Sequence, residues 1–150
     1  MLTHWITDPT HSELIFKIKH LMISHVAGEF RSFTATIDCH EEGNFNKSNV
    51  NVIIEAASIF TNHTERDQHL RSADFFDVEK YPQITFVGRE LTELDEHHYR
   101  LRGDLTMKGI TKEVRLEIEY GGKIADPWGG FRAGFTLHGT LSRKDWGITW

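Results

Sequence analysis

The sequence predicts a mainly β protein, an antiparallel barrel carrying one short helix at its edge. Three observations predict it. Apolar and polar residues alternate with a period of two through most of the chain, which marks strands with one dry and one wet face. Turn-forming residues separate these runs. A single polar stretch in the middle carries helix-start and helix-stop signals instead.

Taken in order, Leu14, Phe16 and Ile18 share one face while Glu13, Lys17 and Lys19 share the other. His20 to Ser24 breaks the alternation with largely apolar residues and reads as a bend or half-turn of helix before Gly28. Phe33, Ala35, Ile37 and Cys39 resume the pattern, and Val50, Val52, Ile54 and Ala56 repeat it. Thr64 is placed to cap a helix whose first turn holds Glu65 and Asp67, with Asp67 at the capping-box position. Arg71 falls in the last turn, where a cation suits the helix dipole. Leu70, Ala73, Phe75 and Phe76 then serve as apolar anchors, and Tyr81-Pro82 turns the chain into an extended run from Gln83 to Val87.

Tyr99, Leu101, Leu105 and Met107 alternate against Arg100, Arg102, Asp104 and Lys108. Val114, Leu116, Ile118 and Tyr120 do so against Glu113, Arg115, Glu117 and Glu119. Phe131, Ala133, Phe135, Leu137 and Leu141 form the last run. The separators are Glu41 to Asn44, Asp95-Glu96, Lys108-Gly109, and the stretch from Gly121-Gly122 to Gly129-Gly130. Short turns imply a meander. About eight such strands make either a sandwich or an up-and-down barrel, and their length favours the barrel. A barrel of about eight strands encloses packed side chains or one small ligand.

The chain has 150 residues, one domain's worth, and no linker composition divides it. Hydrophobic residues make up 39% and charged residues 26%, the balance of a globular protein. The net charge of -5 without a Lys/Arg cluster argues against nucleic acid as a partner. No apolar run approaches the roughly 18 residues of a transmembrane segment. The opening residues lack a basic and then apolar leader, so the expected compartment is the cytoplasm, or the periplasm if a leader has been removed. The lone Cys39 reads as a core thiol.

Ten histidines invite a metal reading, and His63 with Asp67, or Glu65 with His69, share helical spacing. Neither pair is joined by a third ligand in a recognised pattern, so no metal site is expected. Ser58, Ser72 and Ser142 lie outside any nucleophile-elbow motif, and no catalytic residues are assigned. Arg66, Asp67, His69 and Arg71 form the strongest polar group, as a ligand-facing rim or as an anchor pinning the helix to the barrel edge. The dry face carries more functional weight. Phe16, Ile18, Phe33, Ile37, Ile54, Phe86, Leu101, Leu105, Met107, Leu116, Phe131 and Phe135 would line an uncharged interior, with Phe75 and Phe76 joining it from the helix. Such a lining is either a packed core or an apolar tunnel.

Several motifs carry a family resemblance. They are Trp5-Ile6, Asp8-Pro9 and His11-Ser12, then Phe16, Ile18 and His20-Leu21, then Gly28 and Phe30. They continue with Thr61-Asn62, Arg66-Asp67, His69 to Ser72, Asp74-Phe75, Tyr81-Pro82 and Thr85-Phe86. Gly103 to Thr106, Gly109 to Lys112, Asp126 to Gly130 and Arg132 to Phe135 complete them. The pattern resembles the YceI-like, polyisoprenoid-binding proteins from about residue 4 to 150. That resemblance implies an elongated, lipocalin-like barrel whose tunnel takes an isoprenoid chain such as a quinone tail or polyprenyl lipid, with no catalytic residues and no required cofactor.

Relatives of that pattern continue through a further strand, and Trp146, Ile148 and Trp150 alternate as an extended run, so the barrel is expected to be incomplete at its C-terminus. Its open seam points to a homodimer. The resulting expectation is a single lipid-binding domain that sequesters or transports a long-chain amphiphile. The alternatives are an enzyme or stress protein acting on such a lipid, and a His-rich metal binder.

Overall fold

The computed structural model describes residues 3–6, 12–20, 24–41, 44–125, 131–139, 141 and 143–146. Within these, the side chains of 3–6, 17–20, 24–26, 39–41, 44–48, 122–125, 131–135, 138, 143 and 144 lie outside the description. Ten strands are present among the described residues: β1 (Thr3–Ile6), β2 (Ile15–His20), β3 (Ser24–Phe30), β4 (Phe33–Glu41), β5 (Asn44–Glu55), β6 (Ile59–Phe60), β7 (Gln83–Glu93), β8 (His98–Met107), β9 (Ile110–Ala125) and β10 (Phe131–His138). The α-helix of the described residues, α1 (Thr64–Arg71), lies between β6 and β7.

Seven strands form one antiparallel sheet in the order β1-β4-β5-β7-β8-β9-β10, and it curls into a half-barrel. β2, β3 and β6 form a second sheet. The two sheets are continuous. β3 runs into β4 through Arg31-Ser32, and β5 runs into β6 through a single 3-10 turn at Ala56–Ser58. Phe33 faces Ile54 on one side of this bend and Phe30 faces Ile59 on the other. Backbone bonds stitch the bend itself, from Arg31 N–H to Ser58 O and from Glu55 N–H to Ser32 O. The predicted barrel is therefore present as a kinked ladder. β1 and β3, which lack clean alternation, were not expected from the sequence.

The register explains which faces are dry. Directly opposed residues share a face, and Val52, Phe86 and Leu105 oppose one another across β5, β7 and β8. Leu91, Leu101 and Leu116 do so across β7, β8 and β9. On the other face Arg102 bridges Glu90 at 3.1 Å and Glu113 at 2.9 Å, and Arg89 joins Asp104 and Glu113. Exposed pairs of this kind contribute little each, yet they mark that face as the wet one. The β8–β9 connection uses Lys108 and Gly109 at φ 57° and 76°. Positive φ at both positions is the twist-matched two-residue hairpin, which glycine tolerates without strain.

Three sequence expectations need correction. Gly121-Gly122 is no turn: β9 runs through it, and the register steps from Phe135 opposite Tyr120 to Gly134 opposite Gly122, leaving Gly121 as a bulge residue. The last run stops at His138, and both Leu137 and Leu141 are exposed. Trp146 lies in a 3-10 turn (Arg143–Trp146) rather than in an extended run. The expected bend over His20 to Ser24 falls largely on residues 21–23, outside the described set, as does most of the glycine-rich stretch before β10.

Candidate functional site

The helix segment lies at one end of the dry face, and its chemistry is mostly internal. His63, not Thr64, is the N-cap: its backbone is extended and its Nδ1 accepts from Arg66 N–H at 3.2 Å. Asp67 consequently has no cap to serve. Its carboxylate, 5% exposed, accepts from the Thr61 N–H at 2.9 Å and from the Thr61 hydroxyl. Arg66 grips the same residue from the other side, donating from Nε to Thr61 Oγ1 and from Nη2 to Thr61 O, both at 2.8 Å. Arg71 donates to Ile59 O at 3.4 Å. His69 Nε2 meets Asp74 Oδ2 at 2.9 Å while its ring stands edge-on to Phe75. These groups tie α1 to β6 and to its own exit turn, so the anchor reading holds. Ala73, expected as an apolar anchor, is exposed.

Behind the helix the aromatic residues converge. Phe16 and Phe30 have ring centroids 5.4 Å apart, and Phe30 meets Phe76 edge-on at 5.8 Å. Phe16 reaches this position because Gly28 opposes it in β2–β3, where any Cβ would collide with its ring and with Thr61. Gly103 makes the same kind of room for the ring of Phe86. Phe75, Ile54, Phe86, Leu101, Leu105 and Met107 are buried, with Leu101 at 1%. Phe16, Phe33, Ile37, Phe76 and Leu116 are half-buried and pack against them. These candidates are thus brought onto one continuous apolar face. The side chains of Ile18, Phe131 and Phe135 lie outside the described set, as does that of Cys39.

Sequence reasoning missed three residues. Trp146 is 2% exposed and donates its indole N–H to Leu105 O at 3.0 Å, near the β8–β9 hairpin. Tyr81 lies against Gly109 at that same hairpin. Lys112 opposes the buried Leu105 and so occupies the dry phase of β9, against the expectation of an uncharged lining. Extending the alternation back from Val114 by two residues would have found it.

At the opposite end, Tyr99 is buried and Tyr120 half-buried, and burial pushes the Tyr120 phenol above its ordinary value. Outside the apolar face, the β7–β8 turn holds Asp95 against His98 at 2.8 Å. Hydrogen bonding to that carboxylate raises the imidazole, and the His97 N–H followed by His98 lowers the carboxyl. Among the described residues there is no cluster of three His, Cys, Asp or Glu side chains able to hold a metal. Nor is any helix among them long and apolar enough to cross a membrane.

Comparison with known proteins agrees with this architecture. The family model described as a YceI-like domain matches residues 5–150. A UPF0312 protein of Pectobacterium atrosepticum is 45% identical over 139 residues, covering 93% of this chain and 71% of the relative. The crystal structure of the Campylobacter jejuni YCEI protein superposes with a TM-score of 0.78 at 35% identity, covering 94% of this chain and 82% of that one. A polyisoprenoid-binding domain from Saccharophagus degradans, implicated in plant cell wall breakdown, has a TM-score of 0.62 over 99% of this chain and 82% of its own. At 10% identity it shares the fold alone.

Proposed function

The chain belongs to the YceI-like domain family, and from that premise we propose that it binds the chain of an isoprenoid, or of another long-chain amphiphile, along its apolar inner face. The observation that carries this reading is the unbroken dry face of the curled sheet, from Phe33 and Ile54 through Phe86 and Leu105 to Leu101. The polyisoprenoid-binding description of a protein with the same fold supports it. A quinone tail or a polyprenyl lipid has the right shape and polarity.

Each buried methylene contributes about 0.8 kcal/mol, so a few isoprene units suffice for tight binding. The contacts are apolar and non-directional, which makes chain selection loose. The proposed role is one lipid-binding domain that sequesters or carries its ligand, with no catalytic step. It is further proposed to work as a homodimer, because β2 and β10 each have a ladder partner on one side only among the described residues.

A packed core and a lipid-lined one share the same burial but respond differently to charge. Phe86→Asp is expected to abolish retention of a bound long-chain lipid, while Thr85→Asp on the wet face should leave it intact. Unchanged lipid retention in a folded but less stable Phe86→Asp protein would make Phe86 ordinary core and remove this reading.

A further inference from the structure

The inner face is apolar in its middle but not at its ends. On β4, β5, β7, β8 and β9 the described side chains in the dry phase are uncharged except for Glu93, opposite Tyr99, and Lys112, opposite Leu105. They sit at opposite ends. Glu93 closes β7 beside the turn that carries Asp95 and Glu96, with Glu119 opposite His98. Lys112 lies two residues beyond the β8–β9 hairpin. There Lys108 forms the turn, and Lys80 stands over Tyr81, whose ring rests on Gly109. The two charged residues in the dry phase thus lie at its two ends, Glu93 at one and Lys112 at the other.

Lys112 is the unusual member. Its backbone lies between half-buried Ile110 and buried Val114, across from buried Leu105, yet its own side chain is exposed. Its methylenes start on the dry face and its ammonium reaches water, the behaviour of a snorkelling lysine at an apolar boundary. Asp145, on the 3-10 turn nearby, is exposed, and among the described residues Lys112 makes no ion pair or hydrogen bond. An ammonium with three donors at the lip of an apolar lining suits an anionic group at the end of a hydrocarbon chain.

We infer that Lys112 recognises the headgroup of the bound amphiphile, and that this headgroup is anionic, a phosphate or carboxylate, with the chain running from Lys112 toward Tyr99. The inference rests on the lipid-binding reading and adds its polarity. A neutral head gains nothing from Lys112, so head charge, rather than chain type, becomes the property the site selects.

The test compares two probes with one chain, farnesyl phosphate and farnesol, titrated into the full chain at low salt and followed by tryptophan fluorescence. The wild type is expected to bind the phosphate about tenfold tighter, the scale of one charge-assisted hydrogen bond. Lys112→Gln should erase that preference while leaving farnesol affinity unchanged, and Lys112→Arg should retain it. Lys80→Gln and Lys108→Gln, which alter the same end without touching the dry phase, should keep most of it. Equal wild-type affinity for the two probes, or a preference that survives Lys112→Gln, would overturn the inference while leaving chain binding in place. Saturable binding of inorganic phosphate alone, lost in Lys112→Gln, would overturn it in favour of a free-anion site. Failure of both farnesyl probes to bind would remove the lipid-binding reading itself.

Discussion

At the scale of single residues, Asp67 is the side chain with most to lose. It is a carboxylate at 5% exposure whose hydrogen bonds come from Thr61, and Thr61 is held in turn by Arg66. Asp67→Ala would strand the Thr61 N–H away from water. The expected cost is about 2–4 kcal/mol of unfolding free energy by urea denaturation, with lipid retention by the folded fraction unchanged. Loss of binding at unaltered stability would instead make Asp67 part of the ligand site.

The residue types in this motif were legible from sequence, which left anchor and rim both open. The partners were not. Helix-start rules favour Thr64 because hydroxyls are the usual caps, whereas His63 takes the position with its ring nitrogen. Asp67 reaches back six residues to Thr61, and local spacing rules do not look that far. Lys112 was hidden for another reason. Reading strands as dry or wet by their apolar members passes over a charged residue standing in dry phase.

Among the elements, the long strands were the most legible, since β5, β7, β8 and β9 bury the alternate residues their patterns mark. β1 and β3 carry weak alternation, and pairing defines them, β1 with β4 and β3 with β2 and β6. The paired glycines of β9 read as a turn because glycine marks turns and bulges alike.

The β7–β8 hairpin supplies a pH test at this scale. His98 is raised above its ordinary 6.5 by the Asp95 carboxylate. Its contribution is therefore complete below that value and is lost as pH rises through the higher folded value. Asp95 is lowered from 3.8, so its contribution holds above that value and is lost as pH falls through the lower folded one. The pair thus supports the hairpin most between the two ordinary values. An NMR titration should place His98 above 6.5 and return it toward that value in Asp95→Ala. An identical titration in both proteins would mean that the pair does not form in solution.

For the whole molecule, alternation and turn spacing foretold the curled antiparallel sheet but not the kink dividing it into two. That kink depends on bonds between Arg31-Ser32 and Glu55 to Ser58 that are distant in sequence. It brings the rings of Phe16, Phe30 and Phe76 together beside the helix segment. The aromatic content hinted at this convergence, but only the register locates it.

The proposed homodimer is expected to elute at twice the mass of the chain in size-exclusion chromatography with light scattering. A monomer at all concentrations would contradict the edge-pairing argument without touching the inner face.

The central claim is that this inner face holds a hydrocarbon chain, and organic extraction of the purified protein followed by mass spectrometry tests it most directly. A long-chain amphiphile recovered in near-stoichiometric amount, and lost from Phe86→Asp, is the predicted result. A lipid-free protein that also fails to take up an added isoprenoid chain would contradict the claim.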